Sequence, residues 1–234
     1  MTSVKPLSSA LIILMLLVGC QGSGLRSFWK SHSIDYSDIN AAQDQFASFA
    51  ELAVAGPESE ALLAIDALFD KLQEDTVAYY IYTNWLDGAF YNILSPCRNS
   101  VMYSKAVDRI VADAILSQDE CEPFKQKREW LNYNLEGQKA TVPGIVLDQS
   151  SVVLVLDQSC PSCREALTSL AQKKEWANYR HIAICCGYGP VPKVPGWEYV
   201  EPENASAVFD PHMTPVYFVV SQDGTVEKTY HLAI

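Results

Sequence analysis

The sequence predicts an α+α/β protein, an all-helical N-terminal region followed by a mixed-sheet region in which a strand and a helix are joined by two cysteines. Three observations carry this expectation. Apolar residues recur every three to four positions from about Asp35 to Glu136. Val152–Leu156 is a continuous, β-branched run, the pattern of a strand buried on both faces. Cys160-Pro161-Ser162-Cys163 then opens Arg164–Trp176, where Leu167, Leu170 and Ala171 stand at helical spacing.

At the start of the chain, Lys5 supplies a positive charge and Ala10–Val18 an apolar stretch too short to span a bilayer as a helix. That stretch ends at Leu17-Val18-Gly19-Cys20, which resembles a bacterial lipobox. The resemblance implies a signal peptide over 1–19, cleaved to leave Cys20 lipidated at the new N-terminus, with Gln21 pointing to the outer membrane. Several acyl chains on one residue anchor firmly where one chain does not. The alternatives are an ordinary signal peptide or a short membrane anchor. Gly22–Ser33, rich in glycine and serine, reads as a mobile tether within a lipidated segment 20–34.

The helical domain is expected over 35–137. Phe46, Phe49, Ala50 and Leu52–Ala53 form one apolar face before Gly56-Pro57 ends it, and Leu62, Ile65, Leu68, Phe69 and Leu72 form the next. Further helices are expected over about Thr76–Leu94, Asn99–Leu116 and Asp119–Leu135, making five in an antiparallel bundle or hairpin array. The aromatic residues of the third, Tyr79, Tyr80, Tyr82, Trp85, Phe90 and Tyr91, are read as packing rather than as a groove for peptides or glycans. Cys97 and Cys121 flank the fourth and are a possible structural disulfide.

The second domain is expected over 138–234. Thr141–Gln149 reads as a linker contributing a short strand, Arg180–Cys185 as a parallel strand and Trp197–Val200 as a short one. Val216–Ser221 and Thr225–His231 form a closing hairpin around Asp223-Gly224. Cys160 falls at the strand-to-helix junction, where unpaired N–H groups and the helix dipole favour a thiolate. A thiolate attacks disulfides, and a second thiol, Cys163, can close the ring and release the partner.

Strand, Cys-x-x-Cys and helix, followed by Met213-Thr214-Pro215 and a hairpin, resemble the active site of thioredoxin-fold proteins. The resemblance implies a redox-active disulfide between catalytic Cys160 and Cys163, and a cis-proline at Pro215 that binds substrate backbone together with Thr214. The helical half, with Tyr82–Arg98 followed by two helices, is similar to the helical domain of thioredoxin-like lipoproteins of Bacteroidota. Together these imply an oxidoreductase of the cell envelope, lipid-anchored and facing the periplasm, acting on protein thiol or disulfide substrates with a redox partner and no cofactor.

The chain departs from that pattern at three points. Leu154 stands six positions before Cys160, where relatives carry an acid; Asp157 is nearer but is read as an exposed loop carboxylate. Ser159 precedes the first cysteine, and the sequence stops at Ile234 after the last strand, without the usual C-terminal helix. These departures keep open a second reading, a redox-inactive thioredoxin-like binding or scaffold lipoprotein. Metal is not expected: zinc lacks two further ligands, and copper would need His212, three residues before Pro215, to approach the cysteines. Cys185 and Cys186 should face opposite sides of their strand, one buried and one near the site, where it can exchange disulfides with Cys163. With 17 basic against 28 acidic residues, a net charge of −11 argues against nucleic acid as a partner.

Overall fold

The computed structural model describes residues 21–187, 189–190 and 193–231. The expected signal 1–19 and lipidation site Cys20 lie outside the described residues. Two compact units divide between Phe124 and Lys125, ahead of the boundary expected at 137. Among the described residues no helix is long and apolar enough to cross a membrane.

The first unit is helical: α1 (Gln21–Ser31), α2 (Ile39–Ala55), α3 (Glu58–Leu72), α4 (Thr76–Leu86), α5 (Ser100–Asp113) and the start of α6 (Gln118–Trp130). Local chemistry sets most of the helix starts. The side chains of Asp38, Asp75 and Asn99 each accept two backbone N–H groups of the turn they open. Ser117 and Glu120 form a reciprocal capping box ahead of α6. Three expected helices end early, the last at Trp130 rather than Leu135. The third gives way at Asp87–Tyr91 to a π-helical turn, and the fourth stops at Ala114, which adopts the left-handed conformation at φ 53°.

The first helix corrects the expectation of a mobile tether. Gly24, Ser27 and Ser31 are there, but Leu25, Phe28 and Trp29 lie on one face and are buried, at 1%, 6% and 1% exposure. Trp29 meets Phe49 and Tyr82 edge-on, at centroid distances of 5.1 and 6.0 Å. Three large side chains at helical spacing outweigh the glycine and serine content, because burial rather than propensity decides a short helix. Tyr79, Tyr82 and Phe90 are fully buried in the same core, and Tyr91 is nearly so.

The second unit holds a mixed five-stranded sheet of order β3-β2-β1-β4-β5. Its strands are β1 (Ser151–Leu156), β2 (Arg180–Cys185), β3 (Trp197–Val200), β4 (Val216–Val220) and β5 (Val226–His231). β1 runs parallel to β2 and antiparallel to β4, and all six of its residues are buried. Val152, Leu154 and Leu156 pack under α7 (Pro161–Ala171), while Val153 and Val155 pack beneath Phe209 and Phe218 on the opposite face. No strand forms over Thr141–Gln149; the residues just ahead of it make a single bridge, Lys139 to Thr225, flanked by backbone bonds from 137–140 to the hairpin. On the face covered by α7, Tyr217 and Tyr230 stack at 4.7 Å beside Trp176, with the Lys173 ammonium 4.4 Å from the Trp176 ring. Tyr217 is only 3% exposed, so this face is filled rather than open.

If α1 is part of the core, Trp29→Ala should destabilise the protein by roughly 3–5 kcal/mol in urea unfolding. A change near zero would restore the tether.

Candidate functional site

The site begins where β1 ends. Beyond Leu156 the Asp157 carboxylate accepts the Ser159 N–H at 2.7 Å and the Ser159 hydroxyl at 2.6 Å, and the Cys160 N–H donates to the Asp157 carbonyl. This side-chain turn reverses the chain within a few residues. Cys160 becomes the N-cap of α7 with an extended backbone, and Pro161 takes the first helical position, where its missing N–H costs nothing. Gln158 is buried, and its Oε1 accepts the Gly187 N–H at 2.7 Å, tying the end of β1 to the end of β2. A Cβ on Gly187 would sit 2.6 Å from Asp157 Cγ, so only glycine lets the two chain ends approach this closely.

The helix turn separates the two cysteines in exposure. Cys160 is half-buried, whereas Cys163 is fully buried. The Cys163 sulfur lies within hydrogen-bonding reach of the Cys160 thiol, the Thr214 side chain and the Asp157 backbone. Burial, the largest cause, pushes its pKa well above the ordinary value of 9.0. The Thr214–Pro215 peptide is cis, Pro215 is buried, and the Thr214 hydroxyl donates to the Pro211 carbonyl at 3.2 Å. The structure therefore brings Cys160, Cys163 and Thr214 together, with Pro215 next in the chain. Both cysteines are free thiols.

Leu154 is fully buried, and the Asp157 carboxylate is directed to Ser159 and Gly187 rather than to Cys163. It is half-buried and engaged, not the exposed loop carboxylate expected. Cys185 is buried on the same face of the sheet as Cys163, and Cys186 is half-buried against the opposite one. Burial first, then neighbouring charges, pushes these thiols up to about 11 and about 12. Thiols raised in the folded chain hold protons that the unfolded chain loses above about 9. Their contribution to the stability of the reduced protein is complete below that pH and fades as pH climbs towards 11 and 12.

The expected bridge between Cys97 and Cys121 is not formed. Cys121 is buried with its sulfur 3.8 Å from the carbonyls of Ile110 and Leu116, whereas Cys97 lines a cavity beside Phe46 and Trp85. No disulfide joins them. His212 is exposed on a short 3₁₀ turn, and no cluster of three or more metal-ligating side chains occurs among the described residues. Gln158 and Gly187 were not singled out from sequence. The only hint was a glycine directly after a strand end, which often marks close backbone approach.

The whole chain superposes on a thioredoxin-like protein from Bacteroides caccae ATCC 43185, solved at 1.90 Å, with a TM-score of 0.68 and 15% identity. The match covers 100% of this chain and 94% of that one. The fold is thioredoxin-like. No family model matches the sequence, and no curated protein is significantly similar to it. At 15% identity the likeness carries the architecture alone, a helical N-terminal region ahead of a five-stranded mixed sheet.

Gly187→Ala should cost about 1–3 kcal/mol in urea unfolding, because the new methyl displaces the Asp157 carboxylate from its turn. In an Asp157→Ala background the same substitution should cost less than half as much, a coupling that a double-mutant cycle reads directly. Equal costs in both backgrounds would mean that the close approach is not what selects glycine.

Proposed function

We propose that the protein is a thiol–disulfide oxidoreductase of the cell envelope, exported through residues 1–19 and held to the membrane by lipid on Cys20. The observation that carries the redox reading is the asymmetry of the dithiol: Cys160 reachable at the mouth of α7, Cys163 buried beside it. In this reading Cys160, as thiolate, attacks one sulfur of a substrate disulfide, forming a mixed disulfide and releasing the other substrate sulfur as thiolate. Cys163 then loses its proton and attacks the Cys160 sulfur. The second substrate thiolate leaves, the Cys160–Cys163 disulfide closes, and two electrons have passed to the substrate. Run backwards, the same steps oxidise a substrate dithiol, and either direction needs a redox partner to restore the site. Thr214, beside the Cys163 sulfur, with Pro215 next to it in the chain, would align the substrate backbone.

A second reading has its own support. Among the described residues no carboxylate bonds to Cys163, and its burial holds it protonated at neutral pH, so resolution would be slow. A thioredoxin-like domain with a slow second step fits a binding or scaffold lipoprotein.

A glutathione redox titration separates the two. The oxidoreductase reading expects a two-electron transition that vanishes in Cys160→Ser, with insulin reduction lost in the same variant; no transition in the native protein selects the binding reading. Resolution of a preformed Cys160 mixed disulfide should quicken with pH by roughly tenfold per unit above neutrality, following deprotonation of Cys163. A rate independent of pH between 7 and 9 would mean that another group takes the proton. For the anchor, intact-mass analysis of the membrane fraction should find acyl chains on the N-terminal peptide, absent in Cys20→Ser; an unmodified Cys20 removes the lipid from the proposal.

A further inference from the structure

In the helical unit a cavity of about 380 Å³ opens between α2, α4 and the π-helical turn Asp87–Tyr91. Its wall is aromatic, since Phe46 and half-buried Trp85 stand 5.7 Å apart at 41°. Glu51 is the one charged side chain lining it, and no lysine or arginine pairs with Glu51 among the described residues. The amides of Gln43 and Asn84 stand at its edge. Asn84 spends its N–H on the Tyr80 carbonyl at 2.7 Å, which leaves its oxygen as an acceptor. Cys97 is buried in the same lining, and its thiol is pushed up first by burial and then by the Glu51 charge, as expected for a carboxylate on the cavity side. The π-helical turn, pinned where the Tyr103 hydroxyl donates to Asp87 at 2.9 Å, brings Gly88 into the wall. π-helical turns of this kind occur frequently at functional sites.

This lining selects by charge. A carboxylate without an ion-pair partner, in a lining that holds no lysine or arginine, repels anions, and a carbonyl acceptor beside it suits a donor. Aromatic rings attract a cation and cover its carbon skeleton at once. We propose that the cavity binds an aliphatic ammonium group, with Glu51 as counter-ion and Phe46 and Trp85 against the attached carbons. The ammonium has two sources, a free small amine or a lysine side chain on a peptide. This site is independent of the dithiol and stands whether or not Cys160 and Cys163 turn over.

Calorimetric titration of the purified full-length protein with choline, and separately with N-acetyl-lysine methylamide, tests the proposal. Binding of either is expected, and 3,3-dimethylbutan-1-ol, the uncharged isostere of choline, should bind at least about tenfold more weakly. Preference for one probe identifies the source. Glu51→Gln, at an exposed position, should weaken binding by about tenfold. Gly88→Leu should abolish it by filling the cavity, since nothing lies within 4 Å of the added Cβ and the fold should tolerate the change. Thermal melts of both variants establish that they are folded, and Glu51→Gln decides alone if the leucine variant is not. No heat from either ammonium, equal binding of the uncharged isostere, or unchanged binding in Glu51→Gln would overturn the proposal.

Discussion

The structure of the second unit depends on the burial of β1 from both sides. Ser151–Leu156 is hydrogen-bonded to β2 along one edge and β4 along the other, and contributes side chains to both apolar layers. A slip of one residue would exchange those layers and carry Cys160 to the wrong side of the sheet. The register of one strand therefore fixes where the dithiol emerges. Around it the Asp157 turn, the Gln158 tie to Gly187 and Pro161 at the first helical position act locally, within a frame the strand has set.

Within that frame the two sulfurs are given different surroundings by helix geometry alone. A residue at the N-cap stays near solvent, while one three positions on faces inward beneath the first turn. Burial raises the proton affinity of Cys163, and among the described residues no acid bonds to it in place of the one that Leu154 excludes from the strand. The site thus couples an accessible sulfur to a reluctant one.

Much of this was legible from the residues. The apolar run Val152–Leu156, the Cys-x-x-Cys and the Thr214-Pro215 strand start mark the sheet and its site because each is a local pattern with a local cause. What sequence missed depended on distant partners. Leu25, Phe28 and Trp29 looked like isolated apolar residues among glycines and serines until Phe49 and Tyr82 supplied the surface that buries them. Cys97 and Cys121 flank one helix in sequence, but spacing says nothing about where their sulfurs point, and they face different surroundings. Gln158 is an ordinary polar residue until Gly187 arrives from the next strand to be bonded.

The bridge between Lys139 and Thr225 has a bearing on how the sheet ends. Backbone groups of Gly137, Gln138 and Ala140 pair with the β4–β5 hairpin, at Gly224 and Val226. The stretch ahead of the sheet thereby acts as a short selvage along its outermost strand, occupying groups that would otherwise template pairing with another chain. A fragment cut at residue 138, where composition alone would place the domain, would start midway through that stitching and begin to fray at the edge most prone to aggregation.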